Sequence, residues 1–172
     1  MICPSCGHEN IEGTDRCDNC LSSFRDLDVP RAENSSGLAR SVMEDDLRRL
    51  HQEESLFVTP DTPAREVVRR MKDAHTGCAL VLETQSGRLK GIFTEHDVLT
   101  KMTGAAAVAD DVQVKELMSP NPETLRETDS IAAALNKMSL GRYRHLPIIK
   151  KDGGYSVASI KSVLNYIARE DW

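Results

Sequence analysis

The sequence predicts an α+β protein: two copies of a β-α-β-β-α unit packed as one module, with a small cysteine-clipped head at the N-terminus. Three observations predict it. Residues 58–82 recur as residues 125–149 at a constant offset of 67. Within each copy, short branched apolar runs alternate with apolar residues at helical spacing. Four cysteines stand in two C-x-x-C pairs within the first twenty residues.

The head comes first. Cys3-Pro-Ser-Cys6 and Cys17-Asp-Asn-Cys20 form two short knuckles with ten residues between them. Such knuckles can close a tetrahedral thiolate shell, and sulfurs at about 2.3 Å suit Zn²⁺ in a structural rather than a catalytic site. The segment is too short to build its own core, so the metal must supply most of its folding free energy. A zinc ribbon is expected over residues 1–25, with Cys3, Cys6, Cys17 and Cys20 as ligands. Iron of rubredoxin type is the alternative metal for the same donors. The head carries Glu9, Glu12, Asp15, Asp18, Asp26 and Asp28 against Arg16 and Arg25. It lacks the basic face that phosphates require, so nucleic acid is not an expected partner.

Residues 26–37 are polar and read as a linker. A helix over residues 38–54 leads into the module: Leu38, Val42, Leu47 and Leu50 share one apolar stripe, with Glu44, Asp45, Asp46, Arg48 and Arg49 opposite. The first repeat then spans 55–103, a connection 104–116 and the second repeat 117–170. Asp61-Thr-Pro-Ala64 matches Thr128-Asp-Ser-Ile131, and Cys78-Ala-Leu-Val-Leu82 matches His145-Leu-Pro-Ile-Ile149. After a two-residue deletion, Ile92-Phe-Thr94 matches Val157-Ala-Ser159. Thr62 and Asp129 suit helix N-caps, and Pro63 suits a first helical turn. The runs 78–82 and 146–149 have the character of buried strands, with Cys78 as a small hydrophobe. Gln85-Ser-Gly-Arg88 and Lys151-Asp-Gly-Gly154 supply turns. Helices with apolar faces at Val98, Leu99 and Met102, and at Val163, Leu164 and Ile167, close the units. One unit cannot bury both faces of its short sheet, so the two are expected to pack sheet against sheet.

Composition bounds the function. The chain has 172 residues, 28% charged and 40% apolar, with a net charge of −5, which is ordinary for a globular protein. Its apolar runs are too short to cross a bilayer, so no membrane partner is expected. Paired knuckles without a secretory signal indicate a reducing compartment, and a cytoplasmic location is expected. No Walker-type loop and no Ser-His-Asp set are present, so no enzyme is expected.

The duplicated unit resembles the CBS domain pair, or Bateman module, over about residues 38–170. The motifs that carry the resemblance are Gly91-Ile-Phe-Thr94-Glu-His-Asp97, which matches the family's Gly-h-h-Thr-x-x-Asp pattern, and Arg144-His-Leu-Pro147. The head resembles a zinc ribbon on its cysteines alone. The resemblance implies a cleft between repeats that takes an adenine nucleotide such as AMP, ADP or ATP, and a homodimer formed through helices. It implies Asp97 as acceptor for two ribose hydroxyls and Thr94 as a phosphate-side contact, with adenine near Cys78 and Ile92. A carboxylate has the lone pairs for the first task. A threonine at a helix start sits beside free N–H groups and the positive end of the dipole, which suits the second.

The second repeat departs from this pattern. It reads Ser156-Val-Ala-Ser159-Ile-Lys-Ser162, with serine in place of the leading glycine and of the acid. It also carries Arg144, His145 and Lys161 at positions that face phosphate in nucleotide-binding relatives, with Ser159 in the place of Thr94. The candidate ligand set is therefore Thr94, Asp97, Arg144, His145, Ser159 and Lys161, and one site is expected rather than two. Thr94-Glu-His-Asp97 reads equally as a capping box, a role that can coexist with binding. The leading expectation is a regulatory sensor whose zinc head docks an unknown protein partner, with the faces around Val67, Met71, Leu135 and Met138 partly in the dimer interface. The alternatives are an adaptor with an empty cleft and a rubredoxin-like iron redox protein.

Overall fold

The computed structural model describes residues 6–11, 16–21, 37–50, 55–103 and 111–169. Cys3, most of the 26–37 linker and residues 51–54 and 104–110 lie outside the described residues.

Each repeat builds the same sheet. In the first, β1 (Leu56–Val58) lies parallel to β2 (Cys78–Leu82), which pairs antiparallel with β3 (Leu89–Thr94). In the second, β5 (Leu125–Arg126), β6 (His145–Ile149) and β7 (Tyr155–Ser159) repeat that order. The registers correspond: Cys78 faces Thr94, and His145 faces Ser159. The crossover helices are α2 (Ala64–Asp73) and α5 (Ile131–Gly141). Both are followed by a non-glycine residue in the left-handed region, His75 and Arg142, at the same offset. There the N–H groups of Thr76 and Tyr143 reach back to the carbonyls of Met71 and Met138, which satisfies carbonyls orphaned at a helix end.

The helix starts differ from expectation by one position. Pro63 occupies the cap position of α2, while the Thr62 hydroxyl accepts from the Thr59 N–H. Ser130 rather than Asp129 caps α5, accepting from Ala133, and the Asp129 carboxylate accepts from the Arg126 N–H in the preceding turn.

Alternation along the strands divides the apolar side chains between three cores. Ala79, Val81 and Phe93 point toward α2, Val67 and Met71. Leu146, Ile148 and Ala158 point toward α5 and α6 (Ile160–Ile167), where Met138 and Val163 lie. The opposite faces meet: Cys78, Leu80 and Ile92 pack against Tyr155 and Val157, and the Tyr155 hydroxyl accepts from the Leu89 N–H at 3.3 Å. The sheets therefore pack face to face, and Cys78 is buried in the seam.

Two expectations are corrected here. Val67, Met71 and Met138 are buried inside the chain and Leu135 packs on the same interior, so these faces fill cores rather than wait for a partner. Leu99 and Leu164, expected on buried helix faces, are exposed.

The segment before the first repeat, expected as one helix over residues 38–54, is a further correction. α1 (Leu38–Glu44) stops at Asp45, which is extended, and a short 3₁₀ turn (Leu47–Arg49) follows, capped by the Asp46 carboxylate on the Arg48 N–H. Leu38, Val42, Leu47 and Leu50 do share one environment, but it is the core of the second repeat. The Asp45 carbonyl accepts from Ile131, the Leu47 N–H reaches Asp129, and the Tyr166 hydroxyl donates to the Asp45 carboxylate at 2.6 Å. The reciprocal exchange follows at the same offset. The Val112 carbonyl accepts from Ala64, the Val114 N–H reaches Thr62, and Val114 is buried in the core of the first repeat. α4 (Val114–Leu117) and β4 (Ser119–Pro120) thus complete the first repeat, with β4 added to β3. Each repeat lends its leading segment to the other.

Candidate ligand cleft and cysteine cluster

A cleft of about 660 Å³ opens between the two repeats. Its size lies within the range of small-molecule sites. One wall is the end of β3 and the start of α3 (Glu95–Asp97), with Ile92, Thr94 and Asp97. A second is the segment from Ser119 to Glu123. The third runs from the end of α5 into β6 and brings Arg142, Arg144 and His145. Ile92, Leu146 and Pro147 border the cleft beside these polar groups, the last two almost wholly buried.

Asp97 is only 4% exposed. Its Oδ2 accepts from the Thr94 N–H at 2.9 Å and from the Thr94 hydroxyl at 2.7 Å. The Asp97 N–H returns a weaker bond to Thr94 Oγ1 at 3.4 Å. This is the capping box read from the sequence. Asp97 Oδ1 accepts from Lys101 Nζ at 2.7 Å, and the same ammonium donates to the Leu117 carbonyl at 2.6 Å. Lys101 lies in a π-helical turn (Val98–Met102) that continues α3. π-turns are frequent beside functional sites.

His145 closes over Gly77. A Cβ at Gly77 would stand 2.7 Å from His145 Nε2 and 3.3 Å from Glu95 Cδ. Glycine there lets the imidazole and the Glu95 carboxyl approach the backbone together. Gly91 has a comparable role: a Cβ would collide with Met118 Sδ and meet the Ser119 carbonyl at 3.0 Å. The missing side chain lets β4 pair directly with β3.

Of the six candidates, Thr94, Asp97, Arg144 and His145 line this one cleft, and Ser159 and Lys161 do not. Ser159 is opposite His145 across the β6–β7 ladder, but its hydroxyl is turned into the cap of α6. Ser159 and Ser162 form a closed box: the Ser162 hydroxyl accepts from the Ser159 N–H and donates to the Ser159 carbonyl at 2.7 Å. Ser162 is 2% exposed, so the place equivalent to Asp97 holds a sealed hydroxyl and no carboxylate. Lys161 stands exposed on the first turn of α6. The sequence reading missed the Ser119–Glu123 wall and Arg142. The offset of 67 pairs Arg142 with His75, and both follow a crossover helix, which was the available signal.

In the head, the sulfurs of Cys6, Cys17 and Cys20 lie within 4.8 Å of one another, with Cys6 and Cys17 3.6 Å apart. Tetrahedral bonds of about 2.3 Å place thiolate sulfurs roughly 3.8 Å apart, so the three fit corners of a metal shell. Both knuckles turn alike: Gly7 and Leu21, each following the second cysteine of its pair, have φ of 72° and 59°. Asn10 ties the knuckles together, donating to the His8 carbonyl and accepting from the Asp18 N–H, each at 2.9 Å. Asn19 donates to Cys6 Sγ at 3.6 Å, the outer-shell bond that orients a ligating thiolate.

The described residues thus form a duplicated α/β unit with an inter-repeat cleft, one wall of which carries a cap-bound acid. The CBS domain family model matches residues 39–104 and 114–169, and the chain belongs to that family. CBS pairs are a non-catalytic regulatory fold. The chain is 32% identical over 108 residues to the CBS domain-containing protein CBSCBSPB3 of Arabidopsis thaliana, covering 63% of this chain and 19% of that protein. It is also 32% identical over 108 residues to an uncharacterized 17.7 kDa protein of Acidianus ambivalens, covering 62% of this chain and 63% of that one. It spans between 18% and 37% of the length of CBSCBSPB3, of CBSCBSPB1 from the same organism and of a Thermofilum pendens protein. Among solved structures, an uncharacterized conserved protein from Pyrococcus horikoshii superposes with a TM-score of 0.66 at 22% identity, over 76% of this chain and 96% of that one. CBSX2, solved in complex with AMP, superposes with a TM-score of 0.60 at 16% identity, over 72% of this chain and 95% of that one. Among the described residues, no helix is long and apolar enough to cross a membrane.

Proposed function

We propose that this chain is a regulatory sensor that binds an adenine nucleotide in the inter-repeat cleft. The observation that carries the reading is the meeting, in one cleft, of Thr94 and Asp97 from the first repeat with Arg144 and His145 from the second. Asp97 would accept from the ribose hydroxyls, and the guanidinium of Arg144 would hold phosphate through its planar fork. Backbone of the Ser119–Glu123 wall and the apolar border at Ile92 and Pro147 would enclose the base. The AMP complex of the similarly folded CBSX2 supports AMP as the first ligand to test. The sealed Ser159–Ser162 cap supports one site per chain. Binding can shift the repeats only through a difference in affinity between two arrangements, so the output belongs to a partner that reads them.

The test is calorimetric titration of the full chain with AMP, ADP and ATP. Saturable binding of one equivalent, abolished in Asp97→Ala, is expected; two equivalents, or equal binding by that variant, would defeat the reading. A specific observation favours a second reading, an adaptor with an empty cleft: both carboxylate oxygens of Asp97 already have donors. In that case no nucleotide raises the unfolding midpoint, whereas a ligand of the native state must raise it.

For the head, we propose that Cys3 joins Cys6, Cys17 and Cys20 around one zinc ion, a closed structural shell for partner docking. Colourless protein carrying one equivalent of zinc is the expected result. Red protein with a thiolate-to-iron band would assign iron instead. A cytoplasmic homodimer completes the proposal, with the exposed Leu99, Leu140, Ile160 and Leu164 as the apolar surface available for self-association.

A further inference from the structure

We infer that Lys101 is an internal competitor for the ribose-binding acid, so that a ligand must displace its ammonium to be gripped. The inference rests on the nucleotide reading above and adds a regulating residue to it. A carboxylate offers about four lone-pair sites. Thr94 takes two on Oδ2, at 2.9 and 2.7 Å, and Lys101 takes one on Oδ1, at 2.7 Å. A vicinal diol needs two acceptor positions. The Thr94 bonds belong to the helix cap and cannot be surrendered without opening α3. The Lys101 bond is the one that can yield: its side chain is 41% exposed, so the ammonium can return to water while Asp97, at 5%, stays buried.

The same ammonium joins Asp97 to the structure around it. It holds the Leu117 carbonyl at 2.6 Å, the last residue of α4, and Met118 and β4 follow directly. β4 leads into the Ser119–Glu123 wall of the cleft. Lys101 therefore spans from the acid to the segment that the second repeat lends to the first. When a diol takes Oδ1, the ammonium loses one of two partners, and the tie between Asp97 and α4 is cut. The second repeat holds a contrasting arrangement: at the position equivalent to Lys101 stands Tyr166, whose hydroxyl donates to the Asp45 carboxylate.

Titration of the full chain and of Lys101→Met with AMP and with 2′,3′-dideoxy-AMP tests this. Methionine keeps the stem and removes the charge. AMP should bind Lys101→Met about three- to fivefold more tightly, the scale of a displaced, partly exposed ion pair. Dideoxy-AMP, which has no diol to displace the ammonium, should bind both proteins alike. AMP binding that is unchanged or weaker in Lys101→Met, or a gain shared by the dideoxy analogue, overturns the inference and leaves the nucleotide reading standing. Absence of binding of AMP, ADP and ATP by both proteins defeats the nucleotide reading itself. Hydrogen exchange supplies a second measurement: in the unmodified chain AMP should change protection across Val114–Met118, and in Lys101→Met it should not. The same change in both would overturn the proposed tie to α4.

Discussion

Gly91 and Ser156 occupy one position in two copies of a unit, and they solve different local problems. Gly91 has no side chain because Met118 and the Ser119 carbonyl leave no room for one. Gly91→Ala should lower stability by about 1–3 kcal/mol in denaturant unfolding, the usual cost of overpacking. Ser156 is 2% exposed, and its hydroxyl has no hydrogen-bond partner among the described residues. A buried hydroxyl without a partner costs free energy, so Ser156→Ala should raise stability by about 1 kcal/mol, read as a higher unfolding midpoint. The substitution of serine for glycine was visible in the sequence. Its physical reason was not, because the neighbours that forbid a side chain at Gly91, Met118 and Ser119, lie 27 and 28 residues further on and are brought into contact by the pairing of β4 with β3.

At the scale of elements, the strands of the two sheets and their crossover helices were legible, since strand and helix periods write themselves locally. The offset of 67 showed from Val58 onward. It escaped notice at 45–50 and 112–117, where Leu50 and Leu117 are the identical pair. Local pattern says that Leu47 and Leu50 are buried; it does not say against what. The structure answers with the second repeat. Leu47→Ala should therefore cost about 2–5 kcal/mol, as for any fully buried leucine. Hydrogen exchange should show the loss of protection in α5 and α6 before α2. Tyr166→Phe removes the 2.6 Å bond to Asp45 and should cost about 2 kcal/mol, the scale for a hydrogen bond to a charged group. The candidate site divides in the same way. Thr94 and Asp97 were readable because a cap and a ligand grip use the same residue types at the same spacing. Ser159 and Lys161 were drawn in by equivalence, and the structure turns Ser159 into its own helix cap.

For the whole molecule, the question is how head and module combine. Among the described residues, the cores around Val67, Met138 and Cys78 draw none from 6–11 or 16–21. Metal removal should thus unfold the head and spare the module. With a chelator, the main calorimetric transition and any AMP-induced rise in its midpoint should persist, while protection in residues 6–21 is lost. A main transition that collapses with the metal would show that the head braces the module. The net charge of the chain is −5, and the cleft gathers its cations at Arg142 and Arg144.

The exchange of leading segments has a consequence for how the protein is made. Tyr166, the partner of Asp45, leaves the ribosome 121 residues after it. At ordinary translation speeds the leucines beside Asp45 wait on the order of ten seconds with nothing to cover them. Neither half can finish folding on its own, and a chain cut between the halves should yield two unfinished fragments that become native only when mixed. Duplication here has produced an obligate couple.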